Sequence, residues 1–417
     1  MRTFFKSKHL IQKITMLLIM FIDGLGMSLV IPLFGQLFSD GAHSMLESTA
    51  SKQIIGFYYS ASLVFFSGMM VFGASILGQL SDAVGRRLTL RVSLVGSLIG
   101  YIICALAVLL KMPVWFLIGR ALDGLTAGSI PIAQAIMTDL DSEDNTMTSI
   151  GLVMFAVTAG YMFGPMFAGI AFIGAQHNLV MPFLLIACFC MISLWLLRTV
   201  PHTNESSNNK KVSVNLFNVF NQIGCLISRK SIRIYLLGFL LFQTAWALLY
   251  QYMPMVAIAG DQLSGAQSSF LMGLVGLVMC LGFCIIVPKL QGKMRPKNLV
   301  CICLASFVFI SGLYLVKPLS LSLFYLVSAV LALLYTVVYS SMLAYLLSIS
   351  DTQESGLVLG SVASICATAA TISAVLGASV VLLNATVFFC LILLMVLVSL
   401  LLFVFRGVSF ATIFSIK

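Results

Sequence analysis

Apolar residues run in long stretches along this chain, and polar residues gather in short gaps between them. A helix that crosses a bilayer needs about 20 apolar residues. Twelve stretches meet that length, near residues 14–38, 54–78, 88–110, 113–138, 149–174, 180–198, 233–258, 266–288, 298–316, 318–347, 356–383 and 385–405. Lipid offers no partners for bare backbone groups, so each stretch is expected to be a helix. The period-two alternation of a membrane barrel is absent.

One polar interruption is long. It runs from Pro201 to Ile232 and divides the pattern into six spans and six spans. Thr203 to Lys211 reads as linker, and Val214 to Ile227 could lie as an amphipathic helix on the inner membrane surface. The expected organisation is therefore a six-helix bundle over 1–200, a cytoplasmic linker over 201–232 and a second six-helix bundle over 233–417. The fold class is an all-α integral membrane protein whose twelve helices form two bundles around a central pathway.

Composition supports this picture. The chain is 60% hydrophobic and 9% charged, where a soluble protein carries about 25% charged residues. Its net charge is +10. Nucleic acid is excluded as the reason, because the basic residues follow the membrane. With both termini inside, cytoplasmic segments hold 19 of the 23 Lys and Arg residues, the bias that fixes orientation. Arg2, Lys6, Lys8 and Lys13 precede an apolar run that continues through Asp23 to Phe38 without a small-residue cleavage site, so it reads as a retained span. Trp115 and Trp195 fall at span ends. The ten cysteines show no metal-ligand spacing, and the four histidines are scattered, so no metal is expected.

Charges inside spans are costly and usually functional. The spans contain three: Asp23 in span 1, and Arg120 with Asp123 in span 4. A carboxyl in low dielectric favours its neutral form, which suits Asp23 to binding and releasing a proton. Its alternative is a structural pairing with Arg120. Arg120 and Asp123 lie three residues apart and share a helix face. They could tune Asp23 or bind an anionic group, or could close on each other as a structural pair.

The loop Gly78-Gln79-Leu80-Ser81-Asp82-Ala83-Val84-Gly85-Arg86-Arg87 joins spans 2 and 3. Gly78 and Gly85 would allow close helix approach. Asp82, Arg86, Arg87 and Asp139 would form a charged cluster able to lock one conformation and release in another. In span 5, Gly160, Gly164, Pro165 and Gly169 give a small face with a kink. Gln243, Trp246 and Tyr250 share a face of span 7, and Tyr335 and Tyr339 share one of span 10. These are candidates for a substrate cavity, since aromatic faces suit amphipathic molecules, cations among them.

Together these residues resemble the major facilitator superfamily. Gly78 to Arg87 is similar to the family signature G-x-L-[SA]-D-x-x-G-R-[RK]. Gly119-Arg120 with Gly124 resembles the span 4 motif of proton-coupled exporters. Gly160 to Gly169 resembles their span 5 motif, with Ala168 in place of one glycine, and Asp23 to Pro32 is similar to span 1 of tetracycline efflux proteins. The resemblance implies the major facilitator fold, alternating access and export driven by inward proton flow. Asp23 would take the place of the span 1 acid, Arg120 of the span 4 arginine, and Asp82 with Arg86 of the gating pair. It departs from the tetracycline exporters at Gly100-Tyr101, where they carry a further acid, and at Asp123, where the family usually has an uncharged residue. The expected function is proton-coupled efflux of drugs or metabolites. An importer or symporter of a small solute or metal chelate is the alternative. A catalytic arrangement is not visible, and the proton gradient stands in place of a cofactor. The expected partners are a small-molecule substrate, protons and the lipid bilayer, with no nucleic acid. The expected form is a multi-pass monomer in the inner (plasma) membrane, with both termini cytoplasmic.

Overall fold

The computed structural model describes residues 9–39, 44–47, 50–140, 146–169, 178–200, 232–259, 264–291, 293–315, 320–349, 355–380 and 385–405. Regular structure among them is entirely helical. In chain order the helices are α1 (Leu10–Leu29), α2 (Ile31–Ser39), α3 (Lys52–Val84), α4 (Arg86–Leu109), α5 (Pro113–Thr126), α6 (Ser129–Asp139), α7 (Thr146–Ala168) and α8 (Met181–Leu196). There follow α9 (Arg233–Ala259), α10 (Gly265–Leu281), α11 (Val287–Gln291), α12 (Pro296–Gly312), α13 (Leu321–Ser348), α14 (Ser355–Val380) and α15 (Ala385–Phe405). Helix lies over all twelve expected stretches. Among the described residues, nine helical segments are long and apolar enough to cross a membrane.

Local chemistry sets the ends. The Ser51 hydroxyl accepts the Ile54 N–H at 3.3 Å to start α3, and Ser320 accepts from Leu323 at 3.4 Å to start α13. Pro113 and Pro296 occupy first turns, where a missing N–H costs nothing. A single residue, Gly85, joins α3 to α4. Its φ of 97° lies in the region that favours glycine. Span 1 divides at Val30, just before Pro32, as a proline there requires.

Span 4 differs from its expectation. Residues 113–138 were expected as one helix, but α5 stops at Thr126 and α6 begins at Ser129. Ala127 leaves helical geometry with ψ of 80°. The Thr126 carbonyl at the break accepts the Ser93 hydroxyl of α4 at 2.6 Å, which keeps that buried backbone group paired. The proposed amphipathic segment 214–227 lies outside the described residues.

The helices fall into two compact units. One comprises Met1–Asn218 with Leu263–Leu277, and the other Val219–Gln262 with Val278–Lys417. In the first, α1 packs against α7 and α8, and α4 and α3 both pack on α5. Its apolar core includes Met16, Met20, Leu77, Leu90, Ile136 and Val153. Phe34, Phe38, Phe116 and Phe183 make a second cluster of edge-to-face rings 5.6–6.0 Å apart. In the second unit α9 packs on α14 and α15, and α12 on α13 and α15. Outside, large apolar side chains such as Phe309, Leu326, Leu106 and Met191 are exposed. That arrangement fits a solvent of lipid tails.

Glycines fix the closest approaches. A Cβ at Gly160 would overlap the Phe21 carbonyl of α1, and one at Gly24 the Val157 carbonyl of α7. At Gly164 it would strike the Ser28 hydroxyl and come to 2.6 Å from the Leu25 carbonyl. The other side of α7 meets α10, where Gly273 and Gly276 face Met166 and Met162. Gly164→Ala should therefore destabilise the protein in detergent by about 1–3 kcal/mol, the usual result of overpacking. Thermal unfolding beside Gly169→Ala checks this, because nothing lies within 4 Å of a Cβ at Gly169.

Candidate functional site

The intramembrane charges of the first unit converge. Arg120 and Asp123 are buried, at 2% and 3% exposure. Arg120 Nη1 donates to Asp123 Oδ2 at 2.9 Å, so the two are an ion pair within one helix. Asp123 also accepts hydrogen bonds from Ser97 and Tyr101 of α4. The Arg120 guanidinium lies over the Phe66 ring at 4.2 Å from its centroid, with Phe34 at 5.9 Å, within cation–π range. Its Nε has no hydrogen-bond partner among the described residues.

The glycines flanking Arg120 explain how it is held. A Cβ at Gly119 would lie 2.7 Å from Cys104 Sγ and 2.9 Å from the Gly100 carbonyl, so α5 and α4 touch backbone to backbone there. Gly124 presses on the Phe66 carbonyl of α3 in the same way. Span 4 thus sits between spans 2 and 3, and the arginine has one place to go.

Asp23 is partly buried on α1. Its Oδ2 accepts the Ser129 hydroxyl at 2.6 Å, across the break between α5 and α6. Among the described residues the ion pair of Arg120 is with Asp123 rather than with Asp23. Ser28, one turn further along α1, donates to the Gly24 carbonyl at 3.2 Å and lies 3.5 Å from the Gly160 carbonyl of α7. The candidate acid and the span 5 glycines are therefore part of one helix contact.

At the other end of the unit, the loop arginines cap helices. Arg86 Nη1 donates to the Ala135 carbonyl in the last turn of α6 at 2.7 Å. Arg87 Nη2 donates to the Arg198 carbonyl, beyond the end of α8, at 3.0 Å. Cations near helix C-termini are favoured by the helix dipole. The side chains of Asp82 and Asp139 lie outside the described residues. At Gly78 the expected close approach is not found: among the described residues nothing lies within 4 Å of a Cβ placed there. Of the two loop glycines, Gly85 is the one with a positive φ.

The second unit brings the aromatic candidates together. The Trp246 ring stacks on Tyr335 at 4.2 Å and 13°, with Tyr250 6.1 Å away. Tyr339 continues the row, 5.9 Å from Tyr335. Two members were not foreseen. Phe242 stacks on Tyr335 at 5.9 Å, and Phe283 meets Tyr339 edge-on at 6.0 Å. Phe242 is one turn before Trp246 and was legible from spacing. Phe283 is not, because a π-helical turn over Gly282–Ile286 rotates it, with Gly282 tight against Thr336. Gln243 is committed elsewhere: its amide donates to Cys366 Sγ on α14 at 3.1 Å. Among the described residues no group of three His, Cys, Asp or Glu could hold a metal.

Charged side chains kept at membrane depth mark solute or ion pathways, and here they sit in a multi-pass helical protein, the architecture of a membrane transporter. The chain belongs to the Major Facilitator Superfamily, whose family model matches residues 16–377. It is 27% identical over 200 residues to the class E tetracycline resistance protein of Escherichia coli, covering 47% of this chain and 46% of that one. The chain thus spans about half the length of the curated relatives it matches. A crystal structure of a human organic anion transporter superposes with a TM-score of 0.70 at 17% identity, covering 95% of this chain and all of the other. A D-xylose–proton symporter gives 0.68 at 16%, covering 96% and 97%. At those identities the structures speak for the fold alone.

Proposed function

We propose that the protein is a proton-coupled exporter of small amphipathic compounds, working by alternating access. The observation that carries this is the pairing of Asp23 with Ser129 at the break in span 4, one helix contact away from the span 5 glycines. Asp23 binds the proton. Arg120 and Asp123 set the field around it, and Arg120 Nε, which has no hydrogen-bond partner among the described residues, donates to the substrate. Asp82 with Arg86 gates the cytoplasmic side. The row of Trp246, Tyr250, Tyr335 and Tyr339 offers flat, polarisable faces to the substrate. Similarity to tetracycline resistance proteins supports drug efflux. The protein acts as a monomer in the inner membrane, with both termini in the cytoplasm, as the basic residues of the cytoplasmic segments direct.

The test is proton release from purified protein on adding tetracycline, ethidium or other amphipathic compounds. Release that scales with bound ligand is expected. Ligand binding with proton uptake instead would replace this reading with a symporter on the same fold.

A further inference from the structure

The two halves of span 4 are held in different ways. The last turn of α5 is locked by backbone contact. A Cβ at Gly73 would overlap the Leu125 carbonyl, one at Gly124 the Phe66 carbonyl, and one at Gly96 the Thr126 side chain. The half-helix α6 packs through Ile132, Ala133, Ile136 and Met137 into the apolar core. Apolar packing is non-directional. Polar side-chain contacts tie it as well, toward each end. At the start, Ser129 donates to Asp23 at 2.6 Å. In the last turn, the Ala135 carbonyl accepts Arg86, the first residue after the Gly85 hinge, at 2.7 Å.

We propose that α6 carries the protonation state of Asp23 to the cytoplasmic loop, with Ser129 as the positioning residue that reads it. This rests on the proton-binding role given to Asp23 above. An ionised carboxylate accepts a stronger hydrogen bond than a neutral acid, and it is further favoured by the positive end of the half-helix that Ser129 begins. Protonation weakens both ties. The first turn of α6 is then released, while α5 stays fixed by its glycines. Ala135 lies six residues after Ser129, about 9 Å along the helix at 1.5 Å per residue, and a shift at Ser129 reaches the Arg86 contact over that distance.

Other ionisable groups interact with Asp23: Asp123 on α5, Tyr101 on α4 and Cys190 on α8. Arg120 on α5 pairs with Asp123, and Tyr161 on α7 meets Met27 Sδ of α1 at 3.5 Å. Of these side chains none is on α6, so Ser129 is the contact through which that helix senses Asp23.

Hydrogen–deuterium exchange of the full-length protein in detergent tests this. At one pH, Asp23→Asn and Ser129→Ala should each speed exchange of α6 amides several-fold over wild type and leave α5 unchanged, and Ser129→Thr should restore protection. In wild type, moving from mildly alkaline to mildly acidic buffer should do the same after correction for intrinsic rates, and Asp23→Asn should not respond. Unchanged α6 exchange in both variants overturns the inference, as does a joint rise in α5 and α6. Ligand-driven proton release on the same samples separates the two readings. Release that depends on Asp23 beside an unresponsive α6 overturns this inference and keeps the exporter. A responsive α6 without any ligand-driven release supports the inference and removes the exporter.

Discussion

Asp23→Asn is expected to abolish ligand-driven proton release and active transport while leaving ligand binding measurable. Asparagine keeps the shape of the side chain and a carbonyl oxygen that can still accept from Ser129, so the contact at the break is retained in weaker form. What it loses is the ability to take up a proton. A cycle that exchanges substrate for a proton at this carboxyl then has nothing to exchange. Counterflow of labelled substrate down its own gradient should survive, because it requires the conformational change and not the proton. Asp23→Glu should retain part of the activity, with one extra methylene displacing the carboxyl from Ser129. The pair of assays, proton release and counterflow, checks this. Loss of both in Asp23→Asn with normal folding would make the residue part of the substrate site instead. Retention of both would reduce it to a packing partner for Ser129.

Much of this arrangement is written in the sequence, for physical reasons that differ from element to element. Apolar runs of bilayer length leave helix as the one solution for the backbone, so all twelve stretches could be placed. Asp23, Arg120 and Asp123 stood out because charge is rare at that depth. Gly160 and Gly164 stood out as a small face, and they do meet α1. Partners across helices were less legible. Ser129, Ser97 and Tyr101 are ordinary residues in an apolar run, and the fold alone brings them to the acids. The break in span 4 did leave a trace. Gly128-Ser129-Ile130-Pro131 reads as a helix end, a capping residue and a first-turn proline, but the apolar run continues through it and hides the signal. The bonds from the loop arginines to the Ala135 and Arg198 carbonyls were not legible, because sequence does not display main-chain partners. Phe283 depends on a π turn, which begins where Gly282 packs tightly on Thr336.

The second large effect is expected at the Arg120–Asp123 pair. Arg120→Met should cost about 3–5 kcal/mol of stability in detergent, because it leaves a buried carboxylate without its counter-charge. The side chains are only 3% and 4% exposed, so water cannot replace the guanidinium. Methionine fills the same space beside Phe66 and Phe34 and makes tolerable sulfur–ring contacts there. Asp123→Asn alone strands the arginine in the same way. The double variant removes both charges, and its asparagine can still accept from Ser97 or Tyr101. Its stability should return to within about 1 kcal/mol of wild type, as buried pairs replaced together often do. The cycle therefore has a large positive coupling, readable from thermal unfolding of the four proteins. Transport by the double variant then decides what the pair is for. If Arg120 serves only to neutralise Asp123, activity returns with stability. If its guanidinium acts on Asp23 or donates to substrate through Nε, the double variant is stable and inactive. The second outcome is expected, because a closed structural pair has no need to hold an unpartnered donor at this depth.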